Sequence, residues 1–260
     1  MEITFETIKK LQQIELKMLE VFVQICEKEN LQYYLYGGTL LGAIRHKGFI
    51  PWDDDVDIGM PRVDYEKFLI CAQKYLPNYY FLQNFKTEKN APFSFIKIRD
   101  SRTIYKEEAT KNLKINHGIW IDIFPLDYCP KHHFLFDICN TFLKLRIRCI
   151  YDIKISLLEK VLRIISYIIC PFWKMAIFLE DKLWKFYKTD TGLLANFYGC
   201  RNNIMPTNWY GKGIYVTFEH LKVKAPYEYN KYLTQLYGDY MELPPVKKRK
   251  PIHNIVEIKL

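Results

Sequence analysis

Tyr36-Gly-Gly-Thr-Leu-Leu-Gly-Ala-Ile-Arg-His-Lys-Gly-Phe-Ile-Pro-Trp-Asp-Asp-Asp-Val-Asp-Ile58 is the stretch on which the reading of this chain turns. It holds a Gly-Gly turn, a basic loop through Arg45, His46 and Lys47, and then two carboxylates, Asp55 and Asp57, one residue apart. On a strand, residues i and i+2 face the same side. A strand over Asp55–Gly59 would hold both carboxylates at the rim of a sheet while Val56 and Ile58 face the core. Two like charges that close are unfavourable unless a cation lies between them. Carboxylate oxygens are hard ligands, and Mg²⁺ usually keeps waters and substrate phosphates as its other ligands. The segment therefore reads as a metal–phosphate site. Asp53 and Asp54 follow Pro51-Trp52 and read equally well as solvated caps of a turn.

Outward from this stretch, the chain alternates helix and strand signals. Ile8, Leu11, Ile14, Met18, Leu19, Phe22, Ile25 and Cys26 recur at helical spacing, and Asn30 is a stop signal. Gln32–Tyr36 reads as a short strand, and Thr39 as the cap of a helix through Leu40, Leu41 and Ile44. Pro61 opens another helix with Tyr65, Phe68, Leu69 and Ala72 inside. Strands are predicted at Tyr79–Leu82, Ser94–Ile98 and Thr103–Tyr105. Another is predicted over Gly118–Pro125, where Ile119, Ile121 and Ile123 alternate with Trp120, Asp122 and Phe124 and Pro125 ends the run. From Phe134 to Tyr187 long apolar runs carry scattered Lys and Arg and no glycine, which reads as helices. The longest charge-free run there, Ile164–Trp173, is broken by Pro171 and falls short of the roughly 20 residues that span a bilayer. Such a basic, aromatic region suits either an ordinary helical subdomain or docking on an anionic membrane surface.

Composition sets the bounds. With 260 residues, 49% hydrophobic and 26% charged, the chain is globular and long enough for one large domain or two small ones. A formal net charge of +9 suits nucleic acid, anionic membrane or phosphorylated substrates without choosing among them. The seven cysteines are scattered with no Cys-x-x-Cys pair, as expected of free buried thiols in a reducing compartment. Cys129-Pro-Lys-His132-His133 offers zinc-ligand types but has no second cluster to complete a site. Met1-Glu-Ile-Thr-Phe-Glu is not a signal peptide, which points to a cytoplasmic protein.

The Tyr36–Ile58 string resembles the LicD family, which includes bacterial phosphocholine transferases and, in animals, fukutin and fukutin-related protein. Three later blocks match in the same order: Lys97-Ile-Arg99-Asp100, Trp120-Ile-Asp122-Ile-Phe-Pro-Leu-Asp127, and Tyr237-Gly-Asp-Tyr-Met-x-Leu-Pro-Pro with a basic cluster and His253. The resemblance covers nearly all of the chain outside the helical middle. It implies an α+β fold: a mixed sheet with a nucleotidyltransferase-like core over 1–130, a mainly helical insertion over 131–200, and a C-terminal segment, 201–260, returning to the core. In that fold a Gly-Gly-Ser/Thr turn precedes a carboxylate pair, and a third carboxylate comes from a neighbouring strand. Gly37-Gly38-Thr39, Asp55/Asp57 and Asp122 match those places, although the loop between turn and pair is longer here and holds Arg45, His46 and Lys47.

Phosphoryl-type transfer needs charge neutralisation on oxygens and in-line placement of the attacking group. Asp55 and Asp57 would hold Mg²⁺ or Mn²⁺ against a donor diphosphate. Asp122 would share a second metal or accept the acceptor's proton. Gly37, Gly38, Thr39, Arg45, Lys47, Lys97, Arg99, Arg249 and His253 are the donor and phosphate candidates; glycine, lacking Cβ, lets the backbone approach phosphate closely. The resemblance implies a CDP-alcohol donor, most often CDP-choline, and as acceptor a hydroxyl of a cell-surface glycan: lipopolysaccharide, teichoic acid, capsule or a lipid-linked oligosaccharide. CMP leaves, and no nucleic acid is expected. Choline would need aromatic walls, for which Trp52, Trp120, Trp209, Tyr210 and Tyr237 are candidates. The competing readings are a nucleotidyltransferase that leaves NMP on its acceptor, an Asp-x-Asp glycosyltransferase, and a non-catalytic glycan- or membrane-binding module. Such a protein would work in the cytoplasm, peripheral to the inner face of the membrane.

Overall fold

The structure is a computed structural model. It describes residues 3–93, 95–129 and 191–260, with Phe134, Phe136, Asp137, Asn140 and Thr141 of a further helix. The insertion expected over 131–200 and its membrane-docking stretch lie mostly outside the described residues, as do His132 and His133. No described helix is long and apolar enough to cross a membrane.

Helix α1 (Phe5–Lys28) forms where the apolar period places it. Ile8, Leu11, Met18, Leu19, Phe22, Ile25 and Cys26 make its buried face. Thr4 caps it, its hydroxyl accepting from the Thr7 N–H at 3.2 Å. Asn30, at φ +52°, turns the chain out of the helix.

Strands β1 (Tyr34–Leu35), β2 (Asp57–Pro61), β3 (Tyr80–Gln83), β4 (Ile96–Asp100) and β6 (Ile119–Tyr128) form a mixed sheet in the order β1-β2-β6-β4-β3, while β5 (Ile104–Glu107) stands outside it. β2 and β6 are parallel and the other neighbours antiparallel. Strand β7 (Leu193–Ala195), within the stretch read as an insertion, pairs with Asp127 and Tyr128 of β6, and β8 (Met205–Pro206) pairs with β7. One side of the sheet shares a core with α1 and with α3 (Arg62–Tyr75): Ile58, Met60, Ile96, Ile98, Ile119, Ile121 and Ile123 cluster with Leu11, Leu19, Phe22 and Phe68. By alternation, Asp57, Trp120, Asp122, Phe124, Lys97 and Arg99 belong to the other face.

Three local expectations need correction. β6 runs through Pro125 instead of ending there. Its pairing with β4 stops at Ile123, so that side of the strand no longer calls for an N–H at Pro125. β2 starts at Asp57, which leaves Asp53–Val56 as a lead-in before the strand. Thr39 does not cap α2 (Gly37–Arg45); the cap position is Tyr36, without a side-chain bond, and the Thr39 hydroxyl instead accepts the Asp57 N–H at 2.8 Å.

The remaining elements brace the stretch between α2 and the aspartates. Helix α4 (Thr207–Tyr210) leads into the hairpin of β9 (Ile214–Phe218) and β10 (Leu221–Ala225). At the hairpin tip the Glu219 N–H donates to Lys47 O at 2.8 Å, and its carboxylate accepts from the Phe49 N–H at 3.1 Å. Helix α5 (Tyr229–Tyr237) starts the tail, which ends in β11 (Ile255–Lys259) paired with β5. Gly42 sets how close α2 comes to this loop: a Cβ there would lie 2.5 Å from Gly48 O and 3.2 Å from Ile50 N. Gly42→Ala should therefore force the backbones apart and cost roughly 1–3 kcal/mol, read as a lower midpoint in thermal or urea unfolding.

Candidate active site

Sheet register assembles the first part of the site. Asp57 of β2 lies directly opposite Asp122 of β6, and Asp122 lies opposite Lys97 of β4. Lys97 Nζ contacts both Asp122 oxygens, at 2.7 and 2.8 Å. The lead-in supplies the second part: oxygens of Asp53, Asp54 and Asp55 lie within 4.8 Å of one another. Gln12 of α1 holds that lead-in by donating to Ile50 O at 3.1 Å and Asp53 O at 2.9 Å.

The third part is the start of α2, whose first N–H groups have no partner within the helix and whose dipole favours negative charge. Gly37, at φ +51°, and Gly38 let two carboxylates come close. A Cβ at Gly37 would sit 3.2 Å from Asp57 Oδ2, and one at Gly38 would sit 3.2 Å from Asp53 Oδ2.

The electrostatics divide these acids into two groups. Burial, followed by repulsion from neighbouring aspartates, holds the Asp53 and Asp57 carboxyls well above the usual carboxylate range. Asp55 is pushed up to about 6, first by burial and then by Asp54 and Asp122 against the pull of His253. Asp54 goes the other way. Burial would raise it, but hydrogen bonds from His253, Tyr105 and the Ile252 N–H outweigh burial and lower it. Its oxygens meet the Tyr105 hydroxyl at 2.8 Å, the Ile252 N–H at 3.1 Å, and His253 through its N–H at 3.3 Å and Nδ1 at 3.2 Å. Burial would lower His253, yet Asp54 and Asp55 lift it to about 9. Asp54 is thus engaged by the tail and by Tyr105 of β5, and Asp122 is bound to Lys97. Asp53, Asp55 and Asp57 remain crowded together with raised pKa values, an all-oxygen donor set that suits Mg²⁺ or Mn²⁺.

Several candidates from the sequence sit elsewhere or do other work. Arg99 is 1% exposed and donates to Gln83 Oε1 and, at 2.7 Å, to Gly118 O, so it fastens the sheet edge and is not open to a phosphate. Trp120, also 1% exposed, is not an open choline wall: Lys97 and Arg99 lie 4.4 and 4.7 Å from its ring, and His253 packs edge-on. Arg45 donates to Tyr240 O at 2.8 Å and Glu242 O at 3.2 Å, clasping the tail to α2. Arg249 closes a tail turn onto Pro244 O at 2.8 Å and lies 5.6 Å from the Trp52 ring. Tyr210 is buried and borders a different cavity with Leu126 and Asp127, while Trp209 packs on the core. Trp52 and Tyr237 do border one cavity beside Asp53.

The sequence reading missed Gln12, Tyr105 and Glu15. Glu15 is 1% exposed with an unpartnered oxygen, and burial and then the charges of Asp55, Asp54 and Asp53 hold its carboxyl well above the usual carboxylate range. Its signal was present: it falls on the apolar face of α1, one turn from Leu11 and one turn from Leu19.

Two outcomes test this division of labour. An unfolded imidazole titrates near about 6.5, and folded His253 near about 9. The stability it adds, on the order of 3 kcal/mol, is therefore complete below the unfolded value and lost as pH rises through the folded one. Asp54 has the opposite sign, its share being lost as pH falls through the acid range. The urea midpoint of the protein should fall between about pH 7 and 10, and fall less for His253→Gln. Lys97→Met should cost about 3–5 kcal/mol by leaving Asp122 buried and unpaired, and adding Asp122→Asn should recover much of that loss.

Comparison with known proteins places this geometry among relatives. The LicD family model, described as the LicD/FKTN/FKRP nucleotidyltransferase domain, matches residues 30–141. Lipopolysaccharide cholinephosphotransferase LicD of Haemophilus influenzae is 31% identical over 264 residues, which span 95% of this chain and 96% of that protein. Human ribitol 5-phosphate transferase FKRP is 53% identical over 38 residues, 15% of this chain and 8% of that one. Similarity that runs the length of both this chain and the Haemophilus influenzae protein makes this chain a member of the LicD family.

Proposed function

We propose that this protein is a phosphotransferase that moves a phospho-alcohol, with phosphocholine favoured, from a CDP-alcohol to a hydroxyl of a cell-surface glycan and releases CMP. One observation carries the reading: Asp53 and Asp55, whose oxygens lie within 4.8 Å of each other, and Asp57, all three held up by burial and then by neighbouring charges, stand where Gly37 and Gly38 open the start of α2. Kinship with a lipopolysaccharide cholinephosphotransferase and a ribitol 5-phosphate transferase supports the same chemistry. The core is read as nucleotidyltransferase-like on the same grounds, and the site of action as the inner face of the cytoplasmic membrane, where such glycans are built on lipid carriers.

The acceptor oxygen attacks the phosphorus that bears the alcohol. The bond from that phosphorus to the bridging oxygen breaks, CMP departs with the electron pair, and the hydroxyl proton is released. A divalent cation held by Asp53, Asp55 and Asp57 would neutralise charge on the diphosphate oxygens. The α2 N–H groups at Gly38 and Thr39 face the same charge. Asp122 lies between Asp57 and Lys97 in the sheet and holds the Lys97 ammonium, whose positive charge would add to the neutralisation of the site.

Incubation with Mg²⁺, a panel of CDP-alcohols and glycan acceptors, with CMP as readout, tests the reading. Release of pyrophosphate from an NTP would instead favour a nucleotidyltransferase. Asp57→Asn should lower CMP release roughly a hundredfold to a thousandfold while the circular dichroism spectrum stays that of the parent. Chelation should abolish release and Mn²⁺ restore it. Because protons compete for Asp55, whose carboxyl titrates near about 6, Mn²⁺ affinity measured by electron paramagnetic resonance should weaken as pH falls through that value.

A further inference from the structure

From Leu243 to Ile252 the tail reads Leu-Pro-Pro-Val-Lys-Lys-Arg-Lys-Pro-Ile, with four basic residues and no acidic one. Val246 and Ile252 are each 74% exposed, and Met241 and Leu243 are exposed with them. Lys247, Lys248 and Lys250 are exposed as well, and their ammonium groups have no ion pair or hydrogen bond among the described residues. We propose that this loop docks the protein on an anionic membrane leaflet. Val246 and Ile252 enter the boundary between headgroups and acyl chains, and the three lysines meet lipid phosphates. The loop is separate from Phe134–Tyr187, the stretch that the sequence alone marks for such contact. Docking stands on the loop itself, while its use in meeting a lipid-linked acceptor rests on the transfer reading above.

Three observations carry it. The first is what the loop shows to solvent. Aliphatic side chains exposed close together add nothing to the core and mark a contact surface. Val246, Lys247 and Lys248 sit on one short 3₁₀ turn, so an apolar tip and two ammonium groups stand side by side.

The second is order. Pro244, Pro245 and Pro251 restrict the backbone. Arg249 closes the loop on itself, its side chain donating to Pro244 O at 2.8 Å and its N–H to Val246 O at 3.0 Å. A loop that is already built loses little freedom on binding.

The third is place. Arg45 clasps the chain ahead of the loop through Tyr240 O and Glu242 O, and Asp54 accepts from the Ile252 N–H at 3.1 Å at its end. Both anchors belong to the elements that carry the acidic cluster, so a leaflet that takes the loop is held in a fixed relation to that cluster.

Sign and apolar character together choose the partner. Asp239 and Glu242 are exposed ahead of the loop, and the loop itself carries positive charge alone. Nucleic acid would suit the lysines but gives the aliphatic tips nothing. An anionic leaflet takes both, phosphates for the ammonium groups and hydrocarbon for the tips.

The test is flotation of the full-length protein with phosphatidylcholine vesicles, with and without phosphatidylglycerol. The wild type should float with the anionic vesicles at low salt, and less so as salt rises. Lys247→Gln/Lys248→Gln/Lys250→Gln should lower that partitioning on the order of a hundredfold, at about fivefold per lysine. Val246→Ser should lower it at low and high salt alike. The thermal midpoint should hold in both variants, and Lys247→Arg/Lys248→Arg/Lys250→Arg should float like the wild type, which separates loss of charge from loss of fold. With an acceptor embedded in anionic vesicles, Val246→Ser/Lys247→Gln should raise the acceptor KM, and with a soluble acceptor fragment it should not. Wild-type protein left in the soluble fraction with both lipids at low salt would overturn the proposal, as would a glutamine variant that floats like the wild type. A wild-type dimer lost in the glutamine variant, with flotation unchanged, would assign the face to a second copy and overturn it too. Flotation lost in the glutamine variant of a protein that releases no CMP from any CDP-alcohol would support the docking surface and overturn only the transfer reading.

Discussion

Carboxylates from Asp53, Asp54, Asp55, Asp57 and Asp122 meet at one end of a parallel strand pair, and their mutual repulsion is the constraint around which the fold is arranged. Each neighbouring element supplies something that offsets it. Strand β4 brings the Lys97 ammonium to Asp122. The tail brings His253, and β5 brings the Tyr105 hydroxyl, to Asp54. Helix α2 presents the positive end of its dipole to Asp53 and Asp57 through two glycines. What these leave uncompensated is the crowding of Asp53, Asp55 and Asp57, and a divalent cation is the simplest group that would relieve it.

Much of this arrangement was legible in the chain. Regular apolar spacing gave away α1, because a helix that buries one face must repeat it at every turn. The alternation of isoleucines with Trp120 and Asp122 gave away β6 for the corresponding reason on a strand. The nearness of Asp57 to Asp122 followed from a family pattern, since nothing local in either strand specifies which neighbour it will have.

The failures have physical causes as well. A proline usually ends a strand because it removes a ladder hydrogen bond, but at Pro125 the β4 side of β6 is already without a partner. Arg99 shares a strand face with Lys97, and spacing alone could not tell the residue that reaches Asp122 from the one that turns to Gln83 and Gly118. Asp53 and Asp54 looked like turn caps because their partners lie far away in sequence: Gln12 in one direction, Ile252 and His253 in the other. Glu15 was hidden by its company, a single acid on an otherwise apolar stripe.

The tail contact at Asp54 also bears on the order of folding. Asp54 meets His253 across 199 positions of chain, so the loop that must close before this contact forms is among the longest the protein has. The β2–β6 and β3–β4 pairings span far shorter separations and can form while the tail is still searching. Without the tail in place, Asp54 lies among like charges with its His253 counter-charge missing. Closing the tail onto Asp54 therefore carries a larger loop-closure cost than either strand pairing, offset in part by the attraction between His253 and Asp54.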